Sequence, residues 1–243
     1  MQFRRRDILA AAAILIMAQR SGRAEIIEGR APWKPRAANP PKPAITDRFV
    51  FFTADEVRTV EAIVDRIIPP DPETPGGKDA GCATYIDNQL AGPYGSFEGL
   101  YTQGPFQNGT PQQGSQSSLT PAAQYRQGLA DLNGYCKSKH GGKTFAQLPD
   151  ETKDEVLGEL EKGSVQLRDQ DGKTFFKHIV KDTREGFFAD PIYGGNRDMA
   201  GWKMIGFPGA RYDYRDWVSR HNERYPYPPV SIQGRAGWTP GKA

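Results

Sequence analysis

Apolar residues recur every three or four positions in five stretches of the chain, the spacing of an amphipathic α-helix. The longest stretch begins at Thr53 and ends at Ile68. Its apolar positions are Val57, Val60, Ile63, Val64, Ile67 and Ile68. Thr53 and Glu56 have the spacing of a capping box, and Pro69 follows the last apolar position. We therefore predict a helix with one buried face over residues 53–68.

Four shorter stretches repeat this pattern. Their apolar positions are Cys82, Tyr85, Ile86 and Leu90; Tyr125, Leu129, Leu132 and Cys136; Val156, Leu157 and Leu160; and Phe175, Phe176, Ile179 and Val180. Thr120, followed by proline, is a typical helix start, and Gly163 is a typical helix end. No long run alternates between apolar and polar residues, as a half-buried strand does. The predicted fold class is mainly α: a single helical domain with long irregular loops and an extended C-terminal segment.

Glycine and proline, with 27 and 20 residues, indicate where irregular segments lie. Five prolines within residues 25–48 predict an extended tether, and the composition of residues 91–119 predicts a long loop. The predicted organisation is a signal peptide over 1–24, a Pro-rich tether over 25–48, a helical domain over 49–217 and an extended Pro/Gly-rich tail over 218–243.

The N-terminus has the composition of an export signal. Arg5 and Arg6 precede Asp7 and an apolar run from Ile8 to Ala18, which is shorter than the roughly 20 residues of a membrane-spanning helix. Twin arginines followed by a polar and two apolar residues are typical of a Tat signal, whose translocase accepts folded proteins. An ordinary Sec signal or an uncleaved anchor is the alternative. We expect export to the periplasm.

Charge and motifs exclude several functions. The net charge is +3, and residues 1–24 contribute +4, so the remainder carries −1 and nucleic-acid binding is not expected. Dinucleotide-binding, P-loop, haem-attachment, zinc and nucleophile-elbow motifs do not occur. His178 lies among apolar helix residues, so we interpret it as structural rather than as a base. A pair of carboxylates that acts as acid and base stays open.

The two cysteines, Cys82 and Cys136, both fall on apolar helix faces. Because an exported chain meets an oxidising compartment, we expect a disulfide between them. Loop-closure entropy gives such a bond a nominal value of ~4 kcal/mol. Two buried free thiols are the alternative.

Three segments carry a resemblance to a known family. They are FFTADEVRTVEAIVDRIIPPD, AGCATYIDNQLAG and EGFFADPIYGGNRDMAGWKMIGFPGARYDY. Together they resemble the gluconate 2-dehydrogenase subunit 3 family over residues 51–217, and the run from Asp190 to Gly209 is the most specific part.

The resemblance implies two partner subunits. One is a large flavoprotein of the glucose-methanol-choline oxidoreductase type, which holds FAD. The other is a multihaem cytochrome c, which passes electrons to membrane quinone. The small subunit itself holds neither cofactor, so the resemblance implies no catalytic, cofactor-binding or metal-binding residue in this chain. It also implies that the Tat signal serves the flavoprotein and that the complex is attached to the inner membrane.

The segment from Gly186 to Gly209, with residues just beyond it, is the predicted partner interface. The residues assigned to it are Tyr193, Asn196, Arg197, Asp198, Trp202, Arg211 and Tyr212. Aromatic and arginine side chains of this kind dominate protein interfaces. The alternative is that the loop closes over the chain's own core, and we expect Phe187 and Phe188 to pack inside.

The expected function is therefore that of a non-catalytic small subunit. It supports Tat export, maturation and stability of the flavoprotein of a gluconate or other sugar-acid dehydrogenase. The alternatives are a free-standing exported carbohydrate-active enzyme and a sugar-binding module that uses Trp202 or Trp217.

Overall fold

Helices account for the regular structure of the chain. The computed structural model describes residues 48–99, 103–107, 109–113, 117–165, 167–168, 171–211 and 214–232. Within these ranges there are seven α-helices and no strand, which confirms the mainly α prediction. They are α1 (Ala54–Ile67), α2 (Cys82–Ala91), α3 (Pro93–Ser96), α4 (Pro121–Lys139), α5 (Asp150–Lys162), α6 (Gly172–Phe188) and α7 (Ala200–Ile205). The predicted signal peptide and nearly all of the tether lie outside the described residues.

Local sequence determines how these helices begin and end. At α1 the Thr53 hydroxyl accepts from the N–H of Glu56, and the Glu56 carboxylate accepts from the N–H of Thr53 at 2.8 Å. This is the predicted capping box, which satisfies two N–H groups that an open helix end leaves unpaired. Thr120 caps α4 ahead of Pro121, and Gly163 ends α5 in the left-handed conformation.

The core forms around α6, which packs most closely against α2 and α5. The predicted apolar faces of α1, α2, α4 and α5 are buried in it. Aromatic rings connect the N-terminal segment to the centre: the ring centroids of Phe52 and Tyr125 lie 6.2 Å apart, and those of Tyr125 and Phe175 lie 5.9 Å apart. The core therefore joins elements that are distant in sequence.

The buried carboxylate of Asp87 on α2 attaches the N-terminal segment to this core. It accepts hydrogen bonds from the backbone N–H groups of Val50 at 2.7 Å, Phe51 at 3.0 Å and Phe52 at 2.7 Å. Asp87 is fully buried, so these three donors replace the water that a carboxylate would otherwise bind. The sequence shows only an aspartate within an apolar helix, and its role was missed.

A second buried carboxylate lies between α6 and α4. Asp182 accepts a hydrogen bond from the hydroxyl of Tyr125 at 2.7 Å, and its other oxygen lies 3.5 Å from the Lys181 ammonium. Burial raises the pKa of Asp182, although the hydrogen bond from Tyr125 opposes the shift. Burial also lowers the pKa of His178, one turn earlier on α6. This half-buried imidazole agrees with a structural role.

The predicted disulfide between the two cysteines is not present in the structure. Cys82 and Cys136 are free and buried. Each thiol packs in the core as a small apolar side chain, so neither needs a bond to be accommodated. Burial raises the pKa of Cys82 to about 12 and that of Cys136 to about 11, which keeps both protonated and unreactive.

Replacing Asp87 with alanine should destabilise the fold by about 3 kcal/mol, because three backbone donors lose a charged acceptor. The measurement is the free energy of unfolding in urea. Asp79→Asn, at an exposed aspartate, is the control and should change little. Equal stability of Asp87→Ala and the wild type would show that the N-terminal segment is not held by this carboxylate.

Replacing Asp182 with asparagine should change how stability depends on pH. A carboxyl whose folded pKa is raised above 3.8 favours folding at low pH, and that contribution is lost as the pH rises through the folded pKa. Asparagine still accepts from Tyr125 but does not ionise. The stability of Asp182→Asn relative to the wild type should therefore increase as the pH rises above 3.8, by about 1.4 kcal/mol per unit of pKa shift. Urea unfolding of both proteins at several pH values measures this, and a difference independent of pH would contradict it.

Candidate partner-binding surface

The segment after α6 runs so close to that helix that only glycine fits at several positions. A Cβ atom at Gly195 would overlap the carbonyl oxygen of Gly186, and one at Gly201 would overlap that of Phe187. On the other side, a Cβ at Gly81, the residue before α2, would lie 2.7 Å from the carbonyl oxygen of Gly194. The loop is therefore held between the last turn of α6 and the start of α2.

Asn196 closes this loop from within. Its side chain is fully buried: Nδ2 donates to the carbonyl of Ala189 at 2.8 Å, and Oδ1 accepts from the N–H of Gly201 at 2.8 Å. Asn196, Asp198 and Met199 all have positive φ, of 47°, 54° and 56°. Asparagine tolerates this region better than most residues, which explains its place at the first of these positions.

Arg197 attaches the loop to α2 from outside. Its backbone N–H donates to the carbonyl of Ala80 at 3.0 Å, and its guanidinium Nη2 donates to the Thr84 hydroxyl at 3.2 Å. The side chains of Arg197 and Asp198 are nevertheless exposed. They remain accessible to another protein.

Asp190 connects the same loop to the C-terminal tail. Its carboxylate caps the next turn by accepting from the N–H of Ile192 at 3.0 Å. It also accepts from the Ser231 hydroxyl at 3.0 Å and from the N–H of Ile232 at 2.8 Å. Close by, Gly209 and Val230 form an isolated parallel bridge. The tail therefore returns to the loop from which it departs.

A comparison with protein families identifies the chain. The model of the family described as gluconate 2-dehydrogenase subunit 3 matches residues 54–209, from the first residue of α1 to the glycine of the Gly209–Val230 bridge. The chain belongs to the gluconate 2-dehydrogenase subunit 3 family. Searches among curated proteins and among solved structures gave no match. Membership in a subunit 3 family implies other dehydrogenase subunits as partners.

Two of the predicted interface residues have internal roles, and the structure corrects the prediction for them. Trp202 is only 5% exposed, its Nε1 donates to the carbonyl of Phe188 at 2.7 Å, and its ring packs edge-on against Phe207. Asn196 is fully buried, as described above. Both side chains are used by the subunit 3 loop itself, because its carbonyl and N–H groups need buried partners.

The other predicted interface residues that the structure describes do not share the burial of Asn196 and Trp202. Tyr193 is 44% exposed. Arg211 stacks over the rings of Tyr225 and Tyr227, with its guanidinium carbon 5.4 and 5.8 Å from their centroids, and donates to the carbonyl of Pro228. Tyr212 lies outside the described residues. A partner contact by Tyr193, Arg197, Asp198 or Arg211 stays a prediction.

The paired phenylalanines at the end of α6 divide between core and surface. Phe187 is buried as expected, but Phe188 is 37% exposed, so the prediction was wrong for it. Both residues lie in the last turn of α6. Because consecutive helix positions point in different directions, only one of the two rings faces the core. Phe188 contributes its carbonyl to Trp202 instead of its ring to the core.

The described part of the chain was also searched for metal sites and membrane-spanning helices. There, no group of three histidine, cysteine, aspartate or glutamate side chains is arranged to hold a metal ion. The helices of this part also include none with the length and apolar content of a membrane span. The family loop does expose aromatic, aliphatic and arginine side chains, among them Tyr193, Arg197 and Ile205.

Replacing Gly195 with alanine should destabilise the subunit by about 3 kcal/mol, since the new methyl group overlaps backbone that cannot move aside. The matched control is Gly134→Ala on α4, where a Cβ meets nothing within 4 Å. That change should stabilise by up to about 1 kcal/mol, because alanine is the better helix former. Thermal and urea unfolding of the two variants measure both effects, and opposite signs are expected. A neutral Gly195→Ala would refute the close contact with α6.

Proposed function

We propose that this chain is the non-catalytic small subunit of a membrane-bound, FAD-dependent gluconate or other sugar-acid 2-dehydrogenase. In this proposal a large flavoprotein of the glucose-methanol-choline oxidoreductase type holds FAD and oxidises the sugar acid. A multihaem cytochrome c then carries the electrons to membrane quinone. The observation that carries the proposal is the family match over residues 54–209, which includes all seven α-helices of the described residues.

The contacts of the polar side chains within the loop support a binding role over a chemical one. The Asp190 carboxylate accepts from the backbone N–H of Ile232, and the Asn196 amide donates to a backbone carbonyl of its own chain. The indole N–H of Trp202 also donates to a backbone carbonyl. A catalytic carboxylate would instead need to face a substrate within hydrogen-bond reach. These residues shape a surface, and we infer that the surface binds the flavoprotein.

The small subunit acts on its partner by mass action in this proposal. A protein that binds only the folded form of another shifts the folding equilibrium of that partner toward the native state. The gain increases with the concentration of the small subunit relative to its dissociation constant. The flavoprotein is therefore stabilised without any chemical step by this chain.

Export is the second contribution that we propose. A flavoprotein must take up FAD where FAD is made, so it folds in the cytoplasm and requires a route for folded proteins. The twin arginines Arg5 and Arg6, in the N-terminal part outside the described residues, supply a Tat signal that the complex shares. The mature complex then lies in the periplasm, attached to the inner membrane.

Changing both Arg5 and Arg6 to lysine should retain this chain and the flavoprotein together in the cytoplasm. Fractionation of cells followed by immunoblotting of both subunits, and by dye-linked gluconate oxidation in the periplasmic fraction, measures the effect. Arg4→Lys keeps the charge and leaves the twin pair intact, so it is the control and should export normally. If the flavoprotein reaches the periplasm with the double variant, the escort role is refuted.

A further inference from the structure

Exposed apolar side chains are concentrated in the last part of the described chain. Six of the eleven large apolar residues that are exposed among the described residues lie between positions 204 and 232. They are Met204 (49%), Ile205 (59%), Phe207 (44%), Val218 (73%), Tyr227 (58%) and Ile232 (45%), and together we call them the C-terminal surface. Clusters of exposed apolar residues on soluble proteins mark sites of association.

Contacts within the chain support two members of this surface, Phe207 and Tyr227. Phe207 packs on Trp202, whose ring would lie 2.9 Å from a Cβ at Gly209. The Tyr214 hydroxyl donates to the carbonyl of Gly209 at 2.7 Å. The ring of Tyr225 contacts those of Tyr214, Trp217 and Tyr227, at centroid distances of 6.0, 5.0 and 5.6 Å. Trp202, which packs on Phe207, and Tyr214, which belongs to the aromatic cluster, therefore both contact Gly209 of the backbone bridge.

The same region differs in charge from the rest of the protein. Residues 197–232 carry six arginines and lysines against four aspartates and glutamates, a net charge of +2. Residues 48–196 carry 15 against 21, a net charge of −6. The stretch of sequence that carries the C-terminal surface is thus net cationic, whereas residues 48–196 are net anionic.

Two of these cations have no carboxylate partner among the residues that the structure describes. Arg224 is exposed, and Arg211 is held by the rings of Tyr225 and Tyr227 and by a backbone carbonyl. The Nε of Arg211 is buried without an acceptor in that part of the chain. A rigid arginine between aromatic rings is pre-organised for contact with a carboxylate, because little side-chain entropy remains to be lost.

From these observations we infer that the C-terminal surface is where the flavin-carrying dehydrogenase subunit docks, through an apolar patch bordered by carboxylates. This inference rests on the proposed function and adds the location and the chemistry of the contact. The exposed apolar side chains, among them Ile205 and Phe207, supply the buried part of the interface. Arg211 and Arg224 pair with acidic side chains of the partner at its border.

Charge decides between this partner and a second copy of the chain. A symmetric dimer through the C-terminal surface would bring two copies of Arg211 and Arg224 toward each other. Residues 197–232 hold only four carboxylates against six cations, whereas residues 48–196 hold 21 against 15. An acidic patch on a different polypeptide satisfies the cations, whereas a second copy repels them.

The test uses the full-length chain produced in its host with an affinity tag. The flavin-carrying subunit that co-purifies is identified by the absorbance of its bound flavin and by mass spectrometry. The dissociation constant of the two purified subunits is then measured for the wild type, for Ile205→Asn and for the matched control Val50→Asn. Val50 is 68% exposed and is not one of the residues of the C-terminal surface. Thermal unfolding of each variant checks that it is folded.

Ile205→Asn should weaken binding at least about tenfold, as expected when a large apolar residue that an interface buries is replaced by a polar one. Val50→Asn should remain within about twofold of the wild type, as a substitution outside the interface does. Arg224→Glu should weaken binding more at low salt than at high salt, and Arg224→Lys should retain it, because border charges act electrostatically. Gel filtration of the isolated chain should show a monomer for every variant.

Different failures have different meanings. Recovery of the wild-type chain without any flavin-carrying polypeptide would overturn the proposed function itself. Recovery of that subunit with equal affinity for Ile205→Asn, Arg224→Glu and the wild type would overturn only the docking site. A wild-type dimer that Ile205→Asn converts to a monomer would assign the surface to a second copy instead.

Discussion

The backbone contact between the last turn of α6 and the loop that follows it determines the C-terminal third of the molecule. Gly195 and Gly201 approach the carbonyl groups of Gly186 and Phe187 within distances that no side chain permits, and Gly186 itself packs against the side chain of Tyr85. Asn196 then hydrogen-bonds on both sides of the loop and holds it against the helix. With the loop placed, Trp202 can reach the end of α6 and the tail can return to Asp190. If the loop left α6 at a wider angle, the tail would lose its hydrogen bonds to Asp190.

Buried carboxylates make the long-range connections of this fold. Asp87, Asp182 and Asp190 each accept from groups at least 35 residues away, and each is largely shielded from water. Burying a charge is costly unless hydrogen bonds replace its hydration, and all three have such bonds. Because an acceptor without its donors would be destabilising, these contacts favour one arrangement of the helices over alternatives with similar apolar burial. Helix patterns alone do not provide that selectivity.

Sequence patterns predicted the helices well because helix formation is local. The spacing of Val60, Ile63 and Val64 and the cap at Thr53 each depend on residues within one or two turns, and the structure confirms them. The family resemblance was also carried by short segments, and the match over 54–209 confirms it. The long-range roles of Asp87 and Asp190 were not predictable, since their partners lie 35 to 42 residues away and no periodicity indicates them. For the same reason the sequence could not show that Trp202 turns inward while Ile205, three positions later, stays exposed.

The boundaries of the folded unit are wider than those of the family match. Asp87 holds residues 50–52, which precede the match, and Asp190 holds Ser231 and Ile232, which lie more than 20 residues beyond its end at 209. A fragment trimmed to 54–209 would expose both carboxylates to solvent and remove one side of the bridge at Gly209. An excised domain designed from homology alone would therefore be an incomplete folding unit, whereas one that spans residues 48–232 would retain every anchor described above.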